Sequence, residues 1–269
     1  MSEEKNKELW HTIFANGHPE LTSFQRFHRR LPSPPRCKLC FAPFKGIGSW
    51  LMMFKGKAPS SRNPRYCSAC DKFLRAYPGG AEVEMSMIFV DVRGSSTMAE
   101  QSTPSQYSRT MNLFYRTVTS VLYQTDGFII DLVGDEVVGL YPPGFSGKEH
   151  AQKAISAAEQ LLNLAIPVTD TNTDLQFGIG VNTGIAYIGT VMGVEAGLED
   201  VRALGDQVNV TSRLASLAAG GEALISETAF QASGKFADSS EYRELALKGR
   251  STMFPVRVMR RKIPAGSNL

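Results

Sequence analysis

Two aspartates in this 269-residue chain stand where strands should end. Met87 to Val90 form an apolar, strand-like run leading into Asp91, and Gly94, Ser95 and Ser96 then break the strand and offer caps for a helix. In GFIIDLVGDEVVGLY, from Gly127 to Tyr141, two apolar runs meet at Gly134-Asp135, the pattern of a tight hairpin with a carboxylate at its tip. If these strands are neighbours in one sheet, Asp91 and Asp135 converge. Such hard oxygen ligands suit Mg²⁺ or Mn²⁺, which keep several waters and complete their shells with substrate phosphates.

A second chemistry resides in sulfur. All four cysteines fall in two pairs, Cys37-Lys-Leu-Cys40 and Cys67-Ser-Ala-Cys70. A two-residue gap lets both thiolates of a pair reach one ion, and two pairs complete a tetrahedral set. Structural Zn²⁺ in a zinc-ribbon-like module is the first reading. An iron–sulfur cluster, or thiols without a metal, are the alternatives, since 26 residues separate the pairs. With so little apolar sequence around it, a module of this size needs its metal to fold.

The elements that position these groups follow from periodicity. Leu9, Trp10, Ile13 and Phe14 are spaced for one short amphipathic helix that Pro19 should end, and Pro32, Pro34 and Pro35 predict an extended linker before the cysteines. Met111, Phe114, Val118, Val121 and Leu122 share one face of a helix over about 104–125. Further helices are expected over about 148–164 and 206–218. Strands are expected at 175–181 and 185–191, joined by a turn at Asn182-Thr183-Gly184, with a last strand at 255–259. This order predicts an α+β, ferredoxin-like βαββαβ sandwich, with helices on one face of an antiparallel sheet. Gly79-Gly80 divides it from the cysteine module, giving expected domains of 1–80 and 81–269.

Composition is that of a soluble globular protein, 42% hydrophobic and 20% charged. No apolar run is long enough for a membrane span and no secretory signal is evident, so a cytoplasmic protein is expected. Charge is uneven: Leu21 to Gly80 holds twelve Lys or Arg against one acid, Asp71. With Phe24, Phe27, Phe41, Phe44, Trp50 and Phe54 interleaved, that block suits nucleic acid or an anionic membrane. The plainer alternative is a solvated docking module whose aromatics pack inward.

Five blocks in order, FVDVRGSS, LVGDEVVGLY, FGIGVNTGIAYIGTVMG, ALGDQVNVTSRLA and LALKGR, resemble the class III nucleotidyl cyclases, the adenylate and guanylate cyclase family, over about Ala81 to Met259. The resemblance implies that Asp91 and Asp135, with the Val92 carbonyl, hold two Mg²⁺ or Mn²⁺ ions. It implies that Asn209 orients the ribose and Arg213 stabilises the pentavalent phosphorus, and Asn209 and Arg213, four apart, share a helix face. Lys248 would meet the terminal phosphates of a nucleoside triphosphate. Sites shared between two head-to-tail domains imply a homodimer. A catalytically silent nucleotide-binding regulator is the competing reading, disfavoured because all five of these side chains are present.

Two positions depart from the pattern. Adenylate cyclases commonly carry Lys where this chain has Asp131, and Asp or Thr where it has Arg202. Guanylate cyclases place an acid, Glu, at the first position, and some bacterial antiphage members use pyrimidine nucleotides. Family frequency makes ATP the default. An acceptor at Asp131 and a donor at Arg202 match the imino N–H and carbonyl of guanine or uracil, whereas adenine requires exchanged roles. Mutual pairing of Asp131 with Arg202 is the third possibility.

Overall fold

The computed structural model describes residues 3–31, 34–191, 199–234 and 241–261. The chain runs through α1 (Glu3–His11), a π-helical turn (Thr12–Asn16), α2 (Pro19–Arg30), α3 (Gly46–Phe54) and α4 (Ser68–Ala76). It continues through β1 (Gly80–Val92), α5 (Ser95–Gln101), α6 (Pro104–Gln124), β2 (Phe128–Val133), β3 (Glu136–Tyr141), α7 (Pro143–Ser146) and α8 (His150–Leu162). The last elements are β4 (Phe177–Val191), β5 (Asp200–Leu204), α9 (Asp206–Leu217), β6 (Glu222–Ser226), α10 (Glu227–Ala232), β7 (Glu241–Leu245) and β8 (Phe254–Arg260). No described helix is long and apolar enough to cross a membrane.

Two compact units result. The first comprises residues 1–83, 143–145 and 186–204; the second comprises 84–142, 146–185 and 205–269. In the first unit, Trp10 is fully buried and donates its indole N–H to the Tyr77 carbonyl at 2.9 Å. Phe14 stacks on Trp10 and on Phe145. Pro19 does not end the first helix as expected; it opens α2, where its missing N–H costs nothing. Pro32 of the predicted linker lies outside the described residues.

The second unit is an α+β sandwich of the expected ferredoxin-like kind, with strands in the order β2-β3-β1-β4-β6-β8-β7, but its sheet is mixed and not antiparallel throughout as expected. β1, β2 and β3 pair antiparallel, and β4 pairs parallel with β6. Thr103 and Gln106 form a reciprocal cap at the start of α6, and the five predicted apolar residues of that helix are all buried. They join Ile88, Val90, Ile155, Leu161, Ile179 and Ile225 in the main core. A smaller cluster around Val210, Leu214 and Val256 fixes α9.

The expected turn at Asn182-Thr183-Gly184 is absent, and β4 runs unbroken from Phe177 to Val191. Tertiary partners override the local turn signal: Asn182 donates to the Gln207 side chain at 2.9 Å, and Thr228 donates to the Thr183 carbonyl. The distal part of β4 belongs to the first unit, where it pairs antiparallel with β5, a strand not expected from sequence. Met192 and Gly193, the end of the third block, lie outside the described residues. α9 lies directly on the β4 backbone: a Cβ at Gly180 would come within 2.4 Å of the Thr211 carbonyl oxygen, so only glycine admits this approach.

Candidate active site and cysteine centre

The antiparallel register of β1 and β3 sets Asp91 directly across from Glu136, and the Val92 N–H donates to the Asp135 carbonyl at 3.1 Å. The two predicted aspartates therefore stand at adjoining backbone positions at one end of two neighbouring interior strands. Gly134 makes the β2–β3 turn with φ 59°, and Tyr115 of α6 braces it by donating to the Gly134 carbonyl. Cross-strand partners project from the same face, so Glu136 adds a third carboxylate beside Asp91.

Two neighbours orient this edge. Arg93 forms an ion pair with Asp91, donates also to its carbonyl, and reaches the Ser216 carbonyl at the end of α9 at 2.7 Å. Ser95 donates its hydroxyl to Asp135 rather than capping α5, whose start is Gly94 in a left-handed conformation. Glu136, Arg93 and Ser95 escape motif reasoning, although Arg93 and Glu136 each sit within two residues of a predicted aspartate.

Burial raises the Asp91 carboxyl above its ordinary range, Arg93 draws it back, and Asp135 adds to the rise. Burial, then the charges of Asp91 and Asp135, push Glu136 up to about 7. Arg93 draws both carboxyls down against the mutual repulsion of three carboxylates. That surplus of negative charge on hard oxygen donors fits Mg²⁺ or Mn²⁺.

A second cluster lies on α9. Asn209 is exposed and Arg213, one turn on, is half-buried. The exposed Lys248 and Gly249 form a turn beside them: a Cβ on Gly249, whose φ is +81°, would lie 3.9 Å from both terminal nitrogens of Arg213. The helix face and the LALKGR block thus come together. Asp131 is half-buried on β2, paired with Val138 at an irregularity in the ladder, and belongs to the second unit. Arg202 lies on β5 opposite Gly189, in the first unit.

Arg202 is 3.7 Å from Asp200, which shares its face of β5. Asp200 is buried and receives Lys38 Nζ and an Arg65 guanidinium nitrogen at 2.6 Å each, together with the Tyr66 hydroxyl. Burial alone would raise its carboxyl; Lys38, Tyr66 and Arg65 together hold it below the usual carboxylate range. In turn burial draws Lys38 down to about 8, partly offset by Asp200. Arg62 adds an ion pair to Glu199 at 2.8 Å.

Lys38 and Tyr66 each adjoin a cysteine. All four thiols are buried and free of disulfides, with their sulfurs all within 4.8 Å of one another. Cys40 and Cys67 Sγ are 3.7 Å apart, and the Cys67 N–H donates to Cys37 Sγ at 3.3 Å. A tetrahedron with metal–sulfur bonds of about 2.3 Å has sulfur edges of about 3.8 Å. That spacing fits one ion, whereas a multi-iron cluster holds its cysteines around several metal atoms. Burial pushes the Cys37 thiol up, while the hydrogen bond with Cys37 pulls Cys40 down. His28 and Gln25 of α2 hold the first pair through the Cys40 and Leu39 carbonyls at 2.7 and 2.9 Å.

Residues 80–259 match the family model of the adenylate and guanylate cyclase catalytic domain. The chain belongs to that family. Over 137 residues it is 29% identical to an adenylate cyclase of Anabaena cylindrica, which takes in 49% of this chain and 27% of that protein. Over 140 residues it is 30% identical to the human (Homo sapiens) atrial natriuretic peptide receptor 2, taking in 49% of this chain and 13% of the receptor. The chain thus spans a minor part of the curated relatives it matches. Among solved structures, the guanylyl cyclase Cya2 aligns with a TM-score of 0.61 at 24% identity, covering 70% of this chain and 98% of that one. The adenylyl cyclase CyaB from P. aeruginosa gives 0.57 at 22% identity, covering 68% and 97%. Both share the cyclase fold, and the four cysteines lie outside residues 80–259.

Proposed function

We propose that the protein is a nucleotidyl cyclase that joins the 3′-hydroxyl of a nucleoside triphosphate to its own α-phosphorus and releases pyrophosphate. The observation that carries this reading is the edge formed by Asp91 and Asp135, a pair of carboxylates with unbalanced negative charge at the ends of adjoining strands. Two Mg²⁺ or Mn²⁺ ions held there, with the Val92 carbonyl, would acidify the 3′-hydroxyl and neutralise the triphosphate. Arg93 and Ser95 orient the two carboxylates. Arg213 offers a planar, permanently charged donor to the phosphoryl oxygens where charge builds. Asn209, on the same face of α9, orients the ribose, and Lys248 beside them meets the terminal phosphates.

In this reading the aspartates of one chain act with Asn209 and Arg213 of a second copy, so the working form is a homodimer with two sites. ATP is the family default for the base. Asp131 as acceptor and Arg202 as donor favour a second reading, a guanylate or uridylate cyclase, and the matched relatives include both adenylate and guanylate cyclases. Zn²⁺ on Cys37, Cys40, Cys67 and Cys70 would staple the first unit; its support is the single-ion spacing of the sulfurs.

Incubation with each of the four ribonucleoside triphosphates and Mn²⁺, with mass detection of cyclic products, tests the activity and names the base together. No cyclic product from any of the four overturns it. Elemental analysis should find one zinc per chain, and a visible absorption band would favour iron instead.

A further inference from the structure

We propose that α3 is a peripheral membrane anchor that lays its apolar face into an anionic lipid surface. Its sequence, GIGSWLMMF, buries only Gly48 and Met52. Ile47 is 89% exposed, Phe54 74%, Trp50 67% and Met53 59%. A helix of nine residues offering that many large apolar side chains to water is not a solvated surface. The expectation that the aromatics of this block pack inward is borne out for Phe41, which is buried, and fails for Trp50 and Phe54.

Cations ring the apolar face. Lys45 precedes the helix and Lys55 and Lys57 follow it, and no acid occurs between Glu20 and Asp71. Lys57 Nζ lies 4.6 Å from the Phe24 ring centroid and Lys55 Nζ 5.9 Å from that of Phe27. These half-exposed phenylalanines of α2 extend the patch, so apolar body and charged rim form one surface. Tryptophan and phenylalanine flanked by lysine is the composition that settles at the boundary of headgroups and acyl chains. With nine residues the helix lies in the plane of that boundary and does not cross it.

Charge decides among occupants. A second copy seated on the same patch would bring Lys45, Lys55 and Lys57 against their own equivalents. Nucleic acid would satisfy the lysines and stack on the aromatics, but would leave Ile47, Leu51 and Met53 without suitable contacts. Anionic lipid satisfies both the rim and the aliphatic residues.

Tryptophan emission of the full chain reads the contact directly. Trp10 is fully buried, so a blue shift on adding vesicles reports Trp50. The shift, and co-sedimentation, should appear with phosphatidylcholine vesicles containing phosphatidylglycerol, weaken as salt rises, and be absent with phosphatidylcholine alone. Ile47→Glu with Phe54→Glu should abolish binding while circular dichroism and cyclase turnover without lipid stay unchanged. Lys55→Glu with Lys57→Glu should weaken it by about tenfold or more. No shift with anionic vesicles, or equal binding to neutral ones, overturns the proposal. So does a blue shift that grows with protein concentration in the absence of lipid, the mark of a second copy, or the same shift produced by an oligonucleotide.

Discussion

Lys38 sets its ammonium 2.6 Å from the carboxylate of Asp200, so the residue next to Cys37 is bonded to the strand that carries Arg202. Tyr66, next to Cys67, holds the same carboxylate and accepts the Val201 N–H at 3.1 Å. Both cysteine pairs are thereby tied to β5, within two residues of Arg202, the position proposed to read the base. Asp200→Ala leaves Lys38 buried without its anion and should lower the stability of the first unit by about 3 kcal/mol, read as the urea midpoint. If the four cysteines hold zinc as proposed, chelating it should speed hydrogen exchange over 199–204 in the wild-type chain. Unchanged exchange after confirmed metal loss would show that the cysteine pairs do not hold β5.

The carboxylate edge predicts a trade of stability against activity. Asp135 raises the carboxyls of both Asp91 and Glu136, so its charge opposes folding at neutral pH. Asp135→Asn keeps an acceptor for Ser95 and removes that charge. Turnover should fall by about 10²-fold or more, while the urea midpoint rises by about 0.5 kcal/mol in free-energy terms. A fall in both would mean that Asp135 serves the fold.

These relationships differ in how far the chain betrays them. The α6 face, the β2–β3 hairpin and the cysteine pairs rest on local spacing, which a single sequence displays in full. Glu136 is legible as a neighbour of Asp135 but not as the partner of Asp91, because cross-strand register is set by tertiary packing. Asn182-Thr183-Gly184 reads as a turn until Gln207 and Thr228, distant in sequence, satisfy its polar groups. Asp200 has no signal of its own, since its meaning lies in partners 134 to 162 residues away. Pro19 misleads for a different reason: proline suits the end of one helix and the start of the next equally well.

Beneath the sheet, Ser86 hydroxyl is 2.9 Å from His150 Nδ1 and 2.6 Å from the Thr183 hydroxyl, all buried. Burial lowers the pKa of His150, with Glu84 partly opposing. The unfolded chain therefore takes up the proton first as pH falls. Stability that is full above the unfolded value of about 6.5 should be lost as pH drops through the lower folded value. Melting temperature followed from about pH 7.5 to about pH 5 should decline in the wild type relative to His150→Gln, which cannot titrate; the raised Glu136 carboxyl, which adds stability as pH falls, is common to both proteins. Parallel curves for the two proteins would remove His150 from the account.

A shared site makes a sharper demand than any single substitution. If the aspartates of one chain act with Arg213 of the other, then Asp135→Ala and Arg213→Ala proteins are each inactive alone. A heterodimer of the two pairs an intact Asp135 with an intact Arg213 at one site and places both lesions at the other. Random exchange of subunits makes half the dimers mixed, so activity should recover to about one quarter of wild type. Recovery should follow the rate of subunit exchange and vanish when both changes are placed in one chain and mixed with either single variant. Mixtures that stay inactive after exchange, shown by tagged subunits, would place the complete site within one chain.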